Sequence, residues 1–200
     1  MSRPMILALA GAAGCGKSTA AAYLAERHGF ARVRFAGPLK AMLRAFLAEA
    51  GTPPAEIERM IEGDRKQMPA PELAGRSPRY VMQTLGTEFG RDMIHPDLWT
   101  MAWAAGAQAA LDRGAAGVVV EDCRFPNEVD AVRALGGSVV QILRPVGALT
   151  LDPHPSEGQM LAVDATIANV GPLDDLHDML DLFVSEPCLR AEPGAPQRRN

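Results

Sequence analysis

No apolar stretch in this chain is long enough to cross a bilayer as a helix, and no basic start with an apolar middle precedes the first strand. The expectation is a chain that neither enters a membrane nor is exported. Positive charge is not in excess either. With Lys+Arg 20 against Asp+Glu 24 the formal net charge is −4, which argues against direct nucleic-acid binding. Lysine is scarce, so the basic residues are mostly arginine, the side chain that grips phosphate bidentately. Cysteine is scarce as well: Cys15, Cys123 and Cys188 are odd in number, far apart and without the spacing of a metal site. That excludes a disulfide framework and fits reduced thiols in a cytoplasm. No internal repeat is present. What remains suits a packed chain, 48% hydrophobic and 22% charged over 200 positions, enough for one domain with a small insert.

The most informative stretch is Gly11-Ala12-Ala13-Gly14-Cys15-Gly16-Lys17-Ser18, followed by Thr19. It has glycine at both required places, then lysine, then a hydroxyl residue, as a phosphate-binding loop does. The flanks agree: Pro4–Ala10 is a short apolar run that reads as a buried strand, and Ser18–Arg27 reads as a helix. A turn that wraps an anion has no room for side chains. Gly11, Gly14 and Gly16 allow successive N–H groups to face a triphosphate at the positive end of the helix. Lys17 would reach its outer phosphates, and the Ser18 hydroxyl would join the shell of Mg²⁺.

Further along, Gly29 stops the first helix and Ala31–Phe35 alternates like a second strand. Gly37-Pro38 opens a helix to about Ala50, with Leu39, Met42, Leu43, Phe46 and Leu47 at helical spacing. Gly51–Gly75 holds four prolines and reads as an excursion from the core, with a short helix allowed over Ala55–Ile61. Ser77-Pro78 starts a helix with Val81, Met82, Leu85 and Phe89 on one side. Arg79, Gln83 and Thr87 recur every fourth residue on another side, and Arg91 falls near that stripe. Either it is a solvated face or it recognises a phosphate and a flat polar ring. Gly86 and Gly90 would break this helix or admit a close ligand. A helix from His95-Pro96-Asp97 to about Arg113 carries Trp99 and Trp103, for which core packing is favoured over a stacking platform.

Gly117–Asp122 is a buried strand ending in acid. At the carboxyl end of a parallel strand Asp122 can hold Mg²⁺ or its waters; Glu121 competes for that role, although alternation points the two opposite ways. Pro126 opens a helix through Leu135, Ser138–Leu143 is a fourth strand ending in Arg144, Ala165–Asn169 a fifth, and Leu173–Val184 a closing helix. The expected fold is α/β, three layers around a five-stranded parallel sheet with a small helical insert. Right-handed crossovers bring Gly11–Ser18, Phe35, Asp122, Arg144 and Asn169 to one sheet edge. The domain is expected over 1–184, with a flexible tail over 185–200.

Four stretches occur in order: Gly11–Ser18, Phe35-Ala36-Gly37-Pro38-Leu39-Lys40, Gln83-Thr84-Leu85-Gly86-Thr87-Glu88-Phe89-Gly90-Arg91 and Asp122-Cys123-Arg124-Phe125-Pro126-Asn127-Glu128. Together the sequence resembles the deoxynucleoside monophosphate kinases of bacteriophages and prophages, a branch of the nucleoside monophosphate kinases with a phosphate loop. The resemblance spans about Met5–Leu182, and the last two stretches carry it. It implies transfer of the γ-phosphoryl group of ATP, with Mg²⁺, to a deoxynucleoside monophosphate. It implies ATP binding by Gly11, Ala12, Ala13, Gly14, Cys15, Gly16, Lys17, Ser18 and Thr19, and a metal site at Ser18 and Asp122. It implies acceptor binding by Lys40, Arg79, Gln83, Thr87 and Arg91 within a region of about 37–95, and catalysis by Lys17, Arg124 and Arg144. The segment of about 145–164, with His154, Ser156 and Glu157, lies where related kinases have a lid. It has no arginine in Pro145–Val163, which shifts that load to Arg124, Arg144, Arg65 and Lys66. A homodimer is allowed by the sequence. Two alternatives stay open: a kinase of another small phosphorylated metabolite (phosphomevalonate or dephospho-coenzyme A), and an ATPase switch.

Overall fold

The computed structural model describes residues 4–144 and 161–186. Two compact units share the chain, one of Met1–Arg34 with Ala104–Asn200 and one of Phe35–Trp103.

In the first unit, five strands form one parallel sheet in the order β2-β3-β1-β4-β5. They are β1 (Met5–Ala10), β2 (Phe30–Arg32), β3 (Gly117–Val120), β4 (Ser138–Leu143) and β5 (Ala165–Ala168). Their near-continuous apolar sequences suit a sheet covered on both faces. Register runs from Met5↔Gly117 to Ala8↔Val120 on one side of β1, and from Leu7↔Ser138 to Ala10↔Gln141 on the other. Leu7, Leu9, Val119, Val140, Ile142 and Ile167 face one layer, where Leu24 of α1 (Lys17–His28) and Leu176, Leu180 and Phe183 join them. Alternation sends Ile6, Ala8, Val118, Val120 and Val139, all buried, to the other face. There Gly137 is needed for close approach. A Cβ on it would lie 2.8 Å from Val132 and 2.9 Å from Ile6, so α6 (Pro126–Ala134) covers that face. The result is the expected three-layer α/β fold with a five-stranded parallel sheet.

The second unit contains α2 (Gly37–Glu49), α3 (Pro54–Ile61), a 3₁₀ turn at Pro71–Leu73, α4 (Pro78–Thr84) and a π-helix over Leu85–Ile94. The chain boundary at Trp103 falls inside α5 (Leu98–Asp112), and α7 (Leu173–Ser185) closes the first unit. The second unit has its own core, in which Leu39, Leu43 and Leu47 pack with Ile57, Met60, Ile61, Leu73, Met82 and Trp99.

Two sequence expectations need correction. The second strand is Phe30–Arg32, not Ala31–Phe35, because pairing with β3 starts at Phe30↔Gly117. Gly117 leaves room for the Phe30 ring, whose Cζ would sit 2.8 Å from an added Cβ. The 51–75 stretch carries its short helix as α3 and packs within the second unit, where Ile57, Met60, Ile61, Ala70 and Leu73 are buried. The helix from Pro78 does not continue as α but widens to π at Leu85. Gly90 admits no ligand there; it admits the indole of Trp99. Both tryptophans are core residues, as expected. His154, Ser156 and Glu157, most of the lid-like segment and the tail from 187 onward lie outside the described residues.

Candidate active site

The loop after β1 adopts the backbone that its glycines permit, with φ of 132° at Gly11, 75° at Gly14 and 109° at Gly16. All three lie in a region that L side chains rarely enter. Gly16 caps α1 without a side-chain hydrogen bond, and the first turn of α1 holds no acidic residue. The unpaired N–H groups and the positive end of the helix are therefore left for an outside anion. Lys17 Nζ donates to Gly11 O and Ala12 O, both at 2.7 Å. Its ammonium thus rests across the mouth of the loop. Ser18 and Thr19 are exposed, and Cys15 is buried beneath the loop.

Sequence reasoning missed what holds this loop. Asn169, just past β5, donates from Nδ2 to Cys15 O at 2.9 Å and is itself buried. A Cβ on Gly16 would lie 2.6 Å from that nitrogen, so the third loop glycine is also needed for the buttress. Asn169 and Cys15 are 154 positions apart in the chain. Only an amide at a strand end on the shared edge hinted at the role.

Asp122 and Glu121 follow β3, beside the strand that leads into the loop. Their competition is resolved by the neighbouring strand. Arg32 grips Glu121 with Nε at 3.2 Å and Nη2 at 2.7 Å, Arg34 also pairs with it, and the carboxylate is buried. Glu121 is therefore committed to tying β2 to β3, and Asp122 stands beside it at the edge, half-buried. The turn that follows is fixed by Glu128. Its Oε2 accepts from Arg124 N at 2.6 Å and Phe125 N at 3.1 Å, with Pro126 in the first turn of α6. Glu128 thus binds the Arg124 backbone, while the Arg124 guanidinium makes no hydrogen bond among the described residues and is exposed. Between them Cys123 is buried, and desolvation, with smaller contributions from Glu128 and Asp122, pushes its thiol far up. It stays protonated and inert.

Arg144 follows β4 and lines a pocket with Gly16, Thr19, Asn169, Leu173 and Leu176. In this unit, then, the loop, Asp122, Arg124 and Arg144 all leave parallel strands at one sheet edge.

The acceptor candidates belong to the second unit. Lys40 Nζ is held by both carboxylate oxygens of Glu62 at 2.9 Å. Arg79 N donates to Lys66 O at 2.8 Å, but its half-buried guanidinium has no partner among the described residues. Gln83 and Thr87 are exposed and Arg91 is half-buried. Arg65 pairs with Glu56 at 2.6 Å.

A family profile described as deoxynucleotide monophosphate kinase matches residues 72–180. A protein of Acanthamoeba polyphaga mimivirus, provisionally named deoxynucleotide monophosphate kinase, is 30% identical over 190 residues, covering 88% of this chain and 94% of its own. The deoxynucleotide monophosphate kinase of Enterobacteria phage T4 is 31% identical over 102 residues, 50% of this chain and 42% of its own. Among solved structures, TT1252 from Thermus thermophilus superposes with a TM-score of 0.53 at 19% identity, covering 93% of this chain and 99% of that one, a likeness of fold. The near-full-length relative and the profile over more than half of the residues agree with the loop at the sheet edge: the chain belongs to the deoxynucleotide monophosphate kinase family, and is a phosphotransferase.

Proposed function

We propose that the protein transfers the γ-phosphoryl group of ATP to a deoxynucleoside monophosphate, giving the diphosphate. The observation that carries this reading is the Lys17 ammonium lying across a glycine loop at the uncapped start of α1. The loop N–H groups and Lys17 bind the donor phosphates. Lys17 exchanges its two carbonyl partners for phosphate oxygens, so its charge follows the migrating group. The pocket beside Gly16, with Arg144 on its wall, borders the donor phosphates. Arg124 and Arg144 neutralise charge on the transferred group.

No cluster of three or more His, Cys, Asp or Glu suited to a metal exists among the described residues. That fits Mg²⁺, which keeps its waters and binds through one or two protein groups plus substrate phosphates. Ser18 and Asp122 would hold it, and it would supply charge neutralisation between the donor phosphates. The acceptor lies with Arg79 and Arg91 on its phosphate and Gln83 and Thr87 on its base, within the region of about 37–95, with Lys40 at the rim. No general base is needed, because an acceptor phosphate oxygen is already anionic at neutral pH. Position and charge do the chemistry.

The test is turnover of a panel of nucleoside and deoxynucleoside monophosphates, phosphomevalonate and dephospho-coenzyme A with ATP and Mg²⁺. Diphosphate formation from at least one deoxynucleotide, abolished by chelation of Mg²⁺, is expected. No turnover of any deoxynucleotide, or hydrolysis of ATP indifferent to all acceptors, overturns the reading.

A further inference from the structure

The π-helix over Leu85–Ile94 holds two of the acceptor residues, Thr87 and Arg91, and continues from α4, which holds Arg79 and Gln83. In an α-helix of 3.6 residues per turn, every fourth residue advances by about 40°, so Arg79 and Arg91 would diverge by about 120°. A π-turn closes i→i+5 and holds about 4.4 residues, so the same step falls back by about 30°. The helix changes from α to π at Leu85, between Gln83 and Thr87. The drift accumulated over α4 is therefore cancelled, and Arg79, Gln83, Thr87 and Arg91 return to one face.

A wide turn is rare and is frequently found at functional sites. Here Trp99 meets it at two glycines. Trp99 Nε1 donates to Gly86 O at 2.8 Å, and the ring lies against Gly90, where an added Cβ would sit 2.5 Å from Trp99 Cε2. Glycine at both places costs about 1 kcal/mol each relative to alanine in a helix, so the segment is not helical by propensity. The indole is buried in the core of the second unit. His95 N donates to Gly90 O at 3.0 Å, closing the last i→i+5 turn, and Thr100 Oγ1 donates to Asp97 O at 2.9 Å at the start of α5.

We propose that Trp99, seated in the Gly86–Gly90 notch, is a positioning residue for the acceptor: it holds the π register that aligns Arg79 with Arg91. The inference rests on the reading of that face as the acceptor site. Trp99→Phe keeps a buried ring and removes the indole N–H. It should raise the acceptor KM about tenfold while leaving the ATP KM and the kcat at saturating acceptor within about twofold. In that background Arg91→Ala, which alone should cost about tenfold in acceptor KM, should cost only about twofold, because the guanidinium has already left its place. Gly90→Ala, which pushes the ring out of the notch, should give the same split and serves if Trp99→Phe does not fold. Unchanged acceptor KM in a folded Trp99→Phe or Gly90→Ala variant, with Arg79→Ala and Arg91→Ala still raising it, overturns the positioning role alone. If Arg79→Ala and Arg91→Ala also leave it unchanged, the acceptor reading falls and the positioning role falls with it. Full additivity of Trp99→Phe and Arg91→Ala likewise overturns the alignment.

Discussion

Lys17 donates to two backbone carbonyls at the loop surface, and water could donate to them in its place. Replacing it should therefore leave the fold intact and remove the charge that tracks the transferred phosphoryl group. Lys17→Ala should lower kcat by at least about 100-fold with little change in thermal midpoint. Steady-state kinetics beside a melting curve checks this; a near-normal rate would remove the loop from the donor site. Asn169 makes the opposite kind of contribution, touching no substrate while fixing Cys15 O. Asn169→Ala leaves that carbonyl short of a donor and should cost about 1 kcal/mol of stability, together with a several-fold higher ATP KM. A lowered midpoint with an unchanged ATP KM would reduce Asn169 to an anchor of the sheet edge.

Among elements, α1 and α7 are joined at their outer ends by Asp181. Its Oδ1 accepts from Tyr23 Oη at 2.9 Å and meets His28 Nε2 at 2.7 Å, while Tyr23 stacks on His177 with ring centres 3.8 Å apart. The His28 hydrogen bond, assisted by Tyr23, holds the Asp181 carboxyl below the usual carboxylate range. Because the folded-state value is depressed, this contribution to stability is complete above the unfolded value of about 3.9 and disappears as pH falls through the lower folded one. The difference in thermal midpoint between the wild type and Asp181→Asn should accordingly be full near pH 6 and close below about pH 4. A difference that does not move with acidification would mean that the clasp adds nothing through its charge.

Elements also show what a sequence can disclose. The β1–loop–α1 unit was legible because its conformation is written into consecutive residues: glycines where φ is positive, then lysine and a hydroxyl. The sheet was legible from its apolar runs. The end of β2 was not, since pairing with Gly117 sets it and the alternation of Arg32, Val33 and Arg34 continues past the sheet. Nor was the π-helix: nothing within Leu85–Ile94 demands a wide turn, and the side chain that fits the notch comes from Trp99 in the next helix. Alternation set Glu121 and Asp122 on opposite sides, but the role of Glu121 showed only through Arg32 at the end of β2 and Arg34 just beyond it. Of the candidate site, the stretches that bear it could be read in advance, whereas the residues that brace it (Asn169, Glu121, Glu128) could not.

At the scale of the whole molecule, the formal charge of −4 would by itself repel a nucleotide. The shared sheet edge of the first unit concentrates cations locally. Lys17, Arg124 and Arg144 gather there with the Arg32 and Arg34 that pair with Glu121, interleaved with Asp122, Glu128 and Asp175, in a chain that is negative overall. Such an edge acts as a funnel for anions, guiding them from a distance before any hydrogen bond forms. Association of a fluorescent ATP analogue, followed by stopped flow, should slow steeply as salt rises and the Debye length shrinks from about 30 Å at 0.01 M to about 10 Å at 0.1 M. An association rate that ignored salt would mean that the edge is felt only on contact. Capture at long range would then be absent, whereas a rate that rose with salt would mean that the net negative charge sets the pace of encounter.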